Sequence, residues 1–597
     1  MYFISMELKS YLKNLKHFLP LKQYFVQNRW PIIIGLSSLL IVDFLQLLIP
    51  LVIKKAIDLL TAQTATSLIL IKHGMIILAI ASVIGLFRFI WRYLILGTSR
   101  KIEQSLRKEM YGNLQNLSFS FYQKTNIGDL MARAINDIGA IRIACGMGLV
   151  ALIDGIVLGL AAVGFMVSIN WRLTLISLIP APIIITLTRI LTRRMSSGFE
   201  SVQKTFADLT ERVREAFAGI RVTKAYNRES WEYQKVEQEG NRYISVNLRL
   251  AKTLALFFPL MAILTNISLA IVIWLGGRYT ISGNITTGDF VAFITYLNLL
   301  TWPMMAMGWV SNLVQRGSAS MRRINSILEE VSEIKDPAQS RDVSDMDGNV
   351  EIKGLWLRYP EQEQWALKDI HIRIEAGETA AIVGRVGSGK TTLLQALPRL
   401  LNVPAGTVFI GGMDICQISL KTLRQNIGFA TQEAFIFSDT IRNNVIFGRE
   451  GISQDHLEMV LHAAGILEDI RNLENGLDTM LGERGVTLSG GQRQRLTIAR
   501  AILADPLILI LDDALSMVDT NTEEHILNQI LGLRRNKTNL IVSHRVSTIS
   551  RADHIVVCEM GQVVEQGSHE GLLKLGGVYT RLYKEQLLDR ELEIGAN

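Results

Sequence analysis

The chain has 597 residues, of which 49% are apolar and 20% are charged, and its mean hydropathy is +0.25. A positive mean hydropathy at this charge content excludes disordered and collagen-like chains, and it is high for a wholly soluble protein. Because a single hydrophobic core stops growing beyond roughly 250 to 300 residues, we expect several domains, of which one part is very apolar and another is ordinary.

The net charge of +7 comes from 62 Lys and Arg against 55 Asp and Glu, is small for this length and forms no long basic tract. We therefore expect no nucleic-acid partner, since a bias of basic residues toward the cytoplasmic face of a membrane explains the charge as well. The three cysteines, Cys145, Cys416 and Cys558, match no metal-ligand spacing. They are expected to stay reduced and structural.

The N-terminal half contains apolar runs that are long enough to cross a membrane. The first run, residues 31–53, follows a basic segment and is too long for a signal-peptide core, so it predicts a retained helix with a cytoplasmic N-terminus. An interfacial helix is expected before it, at residues 8–25. The further runs are residues 71–96, 145–169, 173–191, 253–277 and 288–314. Residues 1–330 are therefore predicted to form an all-α membrane domain with six spans.

The connections between the runs are unequal. Residues 97–144 and 192–252 are long, polar and helix-patterned, and the second of them is rich in Lys and Arg. The positive-inside rule places both long connections in the cytoplasm, together with both termini.

Four charged residues interrupt the apolar runs: Asp43, Arg88, Arg92 and Asp154. Each costs roughly 2.5 to 3.5 kcal/mol at a helix centre on insertion scales, so such residues tend to face partners or a water-filled cavity. Two interpretations stay open, namely pairing between helices or a place near the membrane surface, and a role toward substrate or protons.

Large apolar residues cluster in the sixth run: Trp302, Met304, Met305, Met307 and Trp309. Methionine and aromatic side chains can repack around varied ligands, which would suit an apolar or amphiphilic substrate. Ordinary helix packing explains the same cluster.

The pattern changes after residue 330. Residues 331–349 are polar and read as a linker, and from residue 350 to 590 short β-branched runs such as 379–383 and 507–511 alternate with helical patterns. This alternation predicts a soluble α/β domain with a largely parallel sheet. Residues 591–597 are left as a tail.

The run 379–383 leads into residues 384–391, which fit GxxxxGK[ST] between a predicted strand and a predicted helix and are called the P-loop below. Glycines let backbone N–H groups surround phosphate, Lys390 reaches the β- and γ-phosphates, and the Thr391 hydroxyl can bind Mg²⁺. A second apolar run ends in Asp512, which can hold Mg²⁺ beside the phosphates. The sequence thus predicts ATP and Mg²⁺ as cofactors. The expected phosphate-binding residues are Gly384, Gly387, Ser388, Gly389, Lys390, Thr391 and Thr392.

Between these two elements lies Leu488-Ser-Gly-Gly-Gln492, which resembles the signature sequence of ATP-binding cassette (ABC) transporters. Six spans before a cassette resemble ABC exporters, so the resemblance covers nearly the whole chain and implies an ATP-driven transporter. It implies that Tyr359 stacks on adenine and that Gln432 reaches Mg²⁺ or the attacking water while it senses the membrane domain. It also implies that Asp519 closes the D-loop and that His544 contacts the γ-phosphate.

The resemblance further implies a dimer. In the family two cassettes pack head to tail, so that each ATP lies between one P-loop and the signature of the other chain. The signature residues here are Ser489, Gly490, Gly491 and Gln492. The turns near residues 123–133 and 226–233 would be coupling helices that dock near Gln432, unless they are only solvated helix connections.

The chain departs from the family at one catalytic position. After Asp512 the family usually has Glu as the general base, but this chain has Asp513. Asp is shorter by one methylene, about 1.5 Å of reach, and a base must lie within about 2.6 to 3.2 Å of its water. One alternative is a homodimer with two slow sites. The other is a heterodimer, in which this chain is the degenerate half and resembles the Mdl-type half of bacterial multidrug exporters, and its partner half-transporter has the catalytic Glu and an altered signature.

The expected function is export of hydrophobic or amphiphilic compounds across the bacterial cytoplasmic (inner) membrane, as one half of a heterodimer. The open alternatives are a lipid or peptide flippase, a homodimeric exporter, and a nucleotide-gated channel or regulator that does not pump.

Overall fold

The structure is a computed structural model that describes residues 16–337, 346–359, 362–482, 488–543 and 545–595. His544, the first part of the expected interfacial helix and the middle of the expected linker lie outside the described residues. The chain divides into two compact units: Met1–Gln115 with Ile127–Glu330, and Asn116–Asn126 with Val331–Asn597. The segment 116–126 thus groups with the C-terminal unit, although its sequence lies between two membrane runs.

Long helices build the first unit, because extended apolar runs satisfy their backbone hydrogen bonds internally only as helices. A 3₁₀ turn at Leu19–Leu21 precedes them, and the π-helical segments Arg92–Leu96, Arg133–Asp137, Ala144–Gly148 and Val272–Gly276 join neighbouring helices without a break. The helices up to residue 328, with α5 belonging to the second unit, are α1 (Lys22–Gln27), α2 (Arg29–Thr61), α3 (Ser67–Trp91), α4 (Gly97–Asn116), α5 (Phe119–Lys124), α6 (Ile127–Ala132), α7 (Ile138–Ile143), α8 (Leu149–Ser177), α9 (Pro180–Ala218), α10 (Ile220–Ala225), α11 (Glu229–Ile271), α12 (Gly277–Ile281) and α13 (Thr287–Leu328).

Five helical stretches in the described part of the chain are long and apolar enough to cross a membrane. They are Arg29–Thr61, Ser67–Asn116, Ile127–Ser177, Glu229–Ile281 and Thr287–Leu328. The predicted run 173–191 is the exception, because α8 ends at Ser177 and α9 begins at Pro180. Proline has no backbone N–H and interrupts the helix there, so the run is divided between two helices.

Asn170 makes a second break in this region. Its backbone leaves the helical conformation (φ −159°, ψ 110°) inside α8, and its Oδ1 accepts the N–H of Leu173 at 3.0 Å. This side-chain bond caps the last turns of α8 as a short helix, in the manner of an N-cap residue.

Aromatic and aliphatic side chains form the core of the first unit. Tyr296 of α13 is fully buried, stacks on Phe165 with ring centroids 5.4 Å apart, and donates its hydroxyl to the carbonyl oxygen of Leu47 at 2.8 Å. Large apolar side chains also point outward, such as Leu68 and Trp274, which are 77% and 71% exposed. An apolar exterior of this kind is typical of helices that face lipid.

The cluster of the sixth run is divided by the fold. Met304 and Met305 pack against the buried cores of the unit, whereas Trp302 is 49% exposed. Trp309 is half-buried, and the side chain of Met307 lies outside the described part.

The second unit contains two sheets. A four-stranded antiparallel sheet has the order β2-β1-β4-β5, and a six-stranded, largely parallel sheet has the order β10-β9-β3-β8-β7-β6. The strands are β1 (Val350–Leu357), β2 (Leu367–Ile374), β3 (Thr379–Val383), β4 (Val408–Ile410), β5 (Met413–Asp414), β6 (Ile427–Ala430), β7 (Ile508–Asp512), β8 (Thr538–Val542), β9 (His554–Glu559) and β10 (Gln562–Gly567). The predicted parallel sheet is confirmed, and the antiparallel sheet is an addition to it.

Short helices connect the strands of this unit. They are α14 (Lys390–Ala396), α15 (Leu420–Gln425), α16 (Ile441–Ile446), α17 (Gln454–Ala463), α18 (Leu467–Arg471), α19 (Gly490–Leu503), α20 (Thr520–Leu533), α21 (Val546–Ile549), α22 (His569–Leu575) and α23 (Val578–Gly595), with a 3₁₀ turn at Gly476–Asp478. One apolar core lies between the two sheets, and a second core joins α16–α20 to the outer strands β6 and β7.

The order of the parallel strands positions the functional residues. β3 and β7 lie on either side of β8, and every residue of these three strands is buried. Since the carboxyl ends of parallel strands meet at one edge of a sheet, the loops after β3, β6 and β7 gather at the same edge.

Candidate nucleotide-binding site

The loop after β3 forms a cradle of backbone groups that side chains would obstruct. Gly389 has φ +98°, and a Cβ there would lie 2.9 Å from the carbonyl oxygen of Ala366. A Cβ at Gly384 would collide with the carbonyl oxygen of Cys558. Glycine is therefore required at both positions, because only it allows this backbone conformation and this close approach.

Lys390 lies inside the cradle at the first position of α14. Its Nζ donates to the carbonyl oxygens of Gly384 at 2.8 Å and Arg385 at 3.0 Å, and the residue is buried. Burial lowers the pKa of the Lys390 ammonium group, an effect opposed by Cys558, Asp513 and Asp512 nearby. The ammonium group is held where phosphate oxygens bind such a loop.

Two oxygen atoms converge at the expected metal position. The Thr391 hydroxyl donates to Asp512 Oδ1 at 3.2 Å, and Asp512 is 2% exposed at the end of β7. Burial raises the pKa of the Asp512 carboxyl group, with Asp513 adding to the effect and Thr391 and Lys390 opposing it. A hydroxyl and a carboxylate oxygen brought together in this way fit the donor set of Mg²⁺.

Aromatic side chains define the opposite end of the site. Tyr359 follows β1, and its hydroxyl forms a 2.9 Å hydrogen bond with the hydroxyl of Thr392, which fixes the ring beside the P-loop. Trp365 precedes β2 and meets Trp356 edge to face at 5.5 Å, while Arg358 lies 5.3 Å from its ring centroid. Both Tyr359 and Trp365 line the same cavity as the P-loop.

This cavity has a volume of about 810 Å³. Among the sequence-predicted site residues it brings together Tyr359, Gly387, Ser388, Gly389, Lys390, Thr391, Thr392, Gln432, Asp512 and Asp513. Gly384 contributes its carbonyl oxygen to Lys390 from beneath the loop. Of the residues described, none of those lining the cavity belongs to the signature segment.

Asp513 occupies a strained position directly after β7. Its φ is +49°, in the left-handed region that residues with a Cβ seldom adopt, and its N–H donates to the carbonyl oxygen of Val542 at 3.2 Å. Asp513 also borders a smaller cavity of about 160 Å³ that contains the buried Glu523. Arg545 pairs with Glu523 at 2.5 Å, and both residues line this smaller cavity.

The signature segment begins helix α19 with a capping box. The Ser489 hydroxyl accepts the N–H of Gln492 at 3.2 Å, and the Gln492 Oε1 accepts the N–H of Ser489 at 2.9 Å. A Cβ at Gly491 would lie 2.9 Å from the carbonyl oxygen of Met517, so the helix start packs directly on the loop after β7. The free N–H groups of such a helix start favour binding of an anion.

Two further polar contacts hold the loop after β7. Gln494 donates to the Ser516 hydroxyl at 3.0 Å and accepts the N–H of Met517 at 2.9 Å. Asp519, expected to close the D-loop, caps α20 by accepting the N–H of Thr522 at 2.9 Å.

Two family models match this chain. The family model of the ABC transporter transmembrane region matches residues 32–304, and the ABC transporter cassette model matches residues 367–516. The chain belongs to the ABC transporter family. It is a multi-pass membrane protein whose transmembrane region is fused to an ATP-binding, ATP-hydrolysing cassette.

Curated relatives resemble the transporter over almost its entire length. The multidrug resistance-like ATP-binding protein MdlA of Buchnera aphidicola subsp. Schizaphis graminum is 35% identical over 97% of this chain and 100% of the relative. The protein of the same name from Escherichia coli K12 is 34% identical over 97% of this chain and 98% of the relative. An ATP-dependent lipid A-core flippase of Desulfotalea psychrophila is 33% identical over 86% and 89% of the two chains.

A solved structure also resembles the transporter. It is described as a bacterial Atm1-family ABC exporter with ATP bound, matches with a TM-score of 0.74 and 25% identity, and covers 95% of this chain and 98% of its own. The fold of a helical membrane domain followed by an α/β cassette is thereby confirmed.

Several residues that line the nucleotide cavity were not predicted from the sequence. Trp365 and Lys368 line the transporter's nucleotide cavity, as do Met560 and Gly561 in the turn after β9. Trp365 carried one signal, an aromatic residue six positions after Tyr359 between two β-patterned runs. The turn after β9 carried none, because β9 lies beside β3 only through the order of the folded sheet.

A short break between helices lies within each segment where a coupling turn is expected. Residues 125–126 separate α5 from α6, and residues 226–228 separate α10 from α11. In the second unit, the Ser120 hydroxyl of α5 donates to Glu333 Oε2 at 2.9 Å. Ser120 and Glu333 border a cavity that Tyr359 also lines, so segment 116–126 lies near the adenine end of the nucleotide site.

Proposed function

We propose that the transporter is one half of a heterodimer that uses ATP to export hydrophobic or amphiphilic compounds across the bacterial cytoplasmic membrane. Multidrug-like relatives of nearly equal length support the substrate class. The Lys and Arg excess of the long connections supports a cytoplasmic position for the cassette and both termini.

The observation that carries the heterodimer is Asp513. A general base must reach its water within about 2.6 to 3.2 Å, and Asp withdraws the carboxylate by about 1.5 Å relative to Glu. The backbone of Asp513 is tied to Val542 by its N–H, so it is not free to advance by the missing length. We infer that the P-loop half-site of this chain hydrolyses ATP slowly.

The signature provides the complementary part of the proposal. Its capped helix start keeps free N–H groups, yet Ser489, Gly490, Gly491 and Gln492 do not line the cavity of their own chain. They would complete the γ-phosphate site on a partner half-transporter that carries Glu as its base. That partner would supply the signature for the degenerate site here.

The remaining residues have assigned tasks in this proposal. Tyr359 holds the adenine ring, Lys390 binds the β- and γ-phosphates, and Thr391, Gln432 and Asp512 would hold Mg²⁺. Bound Mg²⁺ supplies neutralisation of the phosphate charge. His544 is proposed to contact the γ-phosphate.

Coupling is proposed to run through the turns near residues 123–133 and 226–233, which contain the helix breaks at 125–126 and 226–228. ATP that binds the closed cassette pair more tightly than the open one shifts the population toward an outward-open state.

A second candidate is a lipid flippase. Two relatives are ATP-dependent lipid A-core flippases, at 33% and 35% identity. Vesicles distinguish the two functions: an exporter accumulates an amphiphilic dye, whereas a flippase moves a labelled lipid between leaflets without accumulating the dye.

The heterodimer is tested by ATPase assays on this chain alone and on the chain co-expressed with a partner half-transporter that carries Glu at the base position. The single chain should hydrolyse ATP weakly, and the pair should be strongly active. In the pair, Asp513→Asn should leave most of the turnover. Complete loss of turnover in that variant would refute the degenerate-site proposal, and ion current without hydrolysis would identify a nucleotide-gated channel instead.

A further inference from the structure

The orientation of one side-chain amide fixes the start of the signature helix α19. Gln492 uses both ends of its amide, since Oε1 accepts the N–H of Ser489 at 2.9 Å and Nε2 donates to Oδ1 of Asp469 at 2.9 Å. If the amide were flipped, its NH2 group would face the N–H of Ser489, and two donors cannot form a hydrogen bond. The capping box therefore depends on the direction in which this amide points.

Asp469 of α18 determines that direction. A carboxylate accepts hydrogen bonds and donates none, so Asp469 binds the NH2 end of the Gln492 amide and excludes its oxygen end. A hydrogen bond to a charged acceptor is also stronger than one between neutral groups. Asp469 thus holds the amide in the orientation in which Oε1 faces Ser489.

The carboxylate is itself held by a second residue of α19. Arg495, one turn beyond Gln492, pairs with Oδ2 of Asp469 at 3.0 Å and also donates to the carbonyl oxygen of Gly465. The side chain of Arg495 is 15% exposed, so this ion pair lies largely inside the cassette. Because each oxygen of Asp469 has its own partner on α19, the carboxylate cannot rotate without losing one of the two bonds.

Helix α18 gives Asp469 a fixed support. Leu467 and Ile470, which flank it in the sequence, are buried in the same apolar core as Leu496 of α19. The neighbouring acid differs, because the side chain of Glu468 is 76% exposed and pairs with Arg471 of its own helix. Two adjacent carboxylates of α18 therefore have different surroundings, and Asp469 is the one bonded to the signature.

This network decides which N–H groups of the helix start remain available. The N–H groups of Ser489 and Gln492 are both used inside the capping box. Those of Gly490 and Gly491 occupy the first two helical positions, where a helix offers no acceptor of its own. These two N–H groups are the ones that suit an anion, and their direction is set by the capping box.

We propose that Asp469 is a positioning residue of the signature. Through Gln492 it presents the N–H groups of Gly490 and Gly491 to the γ-phosphate held by the P-loop of the partner half-transporter. The inference rests on the proposed role of the signature across the dimer. Asp469 does not line the nucleotide cavity of its own chain, and it acts on nucleotide through Gln492.

The test measures two quantities on the full-length chain, with and without a partner half-transporter that carries Glu at the base position. In the pair, Asp469→Ala should raise the ATP concentration that gives half-maximal hydrolysis by about three- to tenfold, the range for loss of one hydrogen bond. In the chain alone, titration with a fluorescent nucleotide reports on its own P-loop cavity and should give an unchanged affinity. Glu468→Ala is the matched control and should change neither quantity.

Two further variants separate positioning from folding. In a Gln492→Ala background, which lacks the amide, Asp469→Ala should have little further effect on the half-maximal ATP concentration, because residues that act through one another are not additive. Asp469→Asn keeps an acceptor for Gln492 and should keep most of the wild-type ATP dependence, although it loses the ion pair with Arg495. A role in folding alone would lower the yield or the maximal rate, and the two alanine effects would add.

An unchanged half-maximal ATP concentration in Asp469→Ala, or additive effects of the two alanine variants, would overturn the inference and keep the exporter. Lower nucleotide affinity of the Asp469→Ala chain alone would overturn it too, since Asp469 would then act on its own cassette. A raised half-maximal ATP concentration in the chain alone, with no gain in hydrolysis from a partner, would refute the heterodimer and support the role of Asp469 in a homodimer.

Discussion

Asp512 combines two opposing requirements in one carboxyl group. It is buried at the end of β7, where burial favours the neutral acid and raises its pKa, yet binding of Mg²⁺ requires the carboxylate. The Thr391 hydroxyl at 3.2 Å offsets part of the cost of the charged form. If Asp512 binds Mg²⁺ as proposed, its carboxyl group lowers the stability of the nucleotide-free cassette and serves metal binding instead.

Asp512→Asn should raise the thermal unfolding midpoint of the nucleotide-free protein, because it replaces a buried carboxyl group with a neutral side chain of the same shape. Each kcal/mol gained corresponds to roughly 2–4 °C for a domain of this size. Burial raises the folded-state pKa above the unfolded value, so wild-type stability falls as the pH rises between the two values, whereas the variant has no such loss.

The advantage of the variant should therefore widen with rising pH, and it should disappear in acid, where the carboxyl group is protonated in both states. Melting curves between pH 4 and pH 8 measure this, together with ATP binding with and without Mg²⁺. A variant that melts below the wild type at pH 8 would contradict the argument.

Lys390→Ala should weaken ATP binding by roughly tenfold to a hundredfold, because it removes a positive charge that the P-loop carbonyl oxygens hold in place. Fluorescent-nucleotide titration of the purified protein measures the change. Lys353→Ala is the matched control, since Lys353 lies on β1, pairs with Glu351 at 2.7 Å and is absent from the residues lining the cavity. Equal losses in the two variants would indicate a general charge effect.

Helix α19 illustrates how a structural element can serve stability and function with the same atoms. Its capping box satisfies N–H groups at the helix start, and the two glycines let that start rest on the loop after β7. The N–H groups that remain free are the ones suited to phosphate. In the proposed dimer this helix start completes the site on the partner chain.

Ser489→Ala and Ser453→Ala form a matched pair that separates these two roles. Each serine caps a cassette helix by accepting an N–H at 3.2 Å, from Gln492 and His456 respectively. Each variant should lose about 0.5–2 kcal/mol of stability, the usual effect of removing a cap. ATP hydrolysis by the assembled pair should fall only in Ser489→Ala.

Chemical denaturation and ATPase rates of the same preparations measure the two effects. If Ser453→Ala lowered hydrolysis as much as Ser489→Ala does, the signature would have only a structural role.

The two units of the molecule differ in where their apolar side chains lie. The membrane unit presents apolar side chains at its exterior, whereas the cassette encloses its apolar residues between two sheets and in a second core beside β6 and β7. Helical turns such as those at residues 62–66 and 282–286 lie at one end of the long helices, and the turn at 226–228 follows a long polar extension.

Cysteine labelling tests the proposed orientation of the whole molecule. Gln63→Cys and Ser282→Cys should react with a membrane-impermeant maleimide in intact cells, and Asn227→Cys should react only after permeabilisation. All three positions are exposed. The native cysteines are less accessible, because Cys558 is buried and Cys145 and Cys416 are partly buried. Labelling of Asn227→Cys in intact cells would reverse the orientation.

The sequence by itself determined the class of the protein. Inside a membrane, long apolar runs can satisfy their backbone hydrogen bonds only as helices. A glycine loop followed by Lys390 and Thr391, between a strand and a helix, predicts phosphate binding. Local patterns of this kind can be recognised without knowledge of distant contacts. For this reason the sequence predicted the P-loop, the strand that ends at Asp512 and the signature at Ser489.

Contacts between distant segments were decided by the tertiary structure alone. The division of the run 173–191 at Pro180 is different, because it is a local effect of the proline backbone that an averaged hydropathy window conceals. Trp365 and Met560 reach the nucleotide cavity because β2 pairs with β1 and β9 pairs with β3. The facing of Asp43 and Asp154 depends on how α2 and α8 pack, and sequence spacing carries no information on the register of two helices that are more than a hundred residues apart.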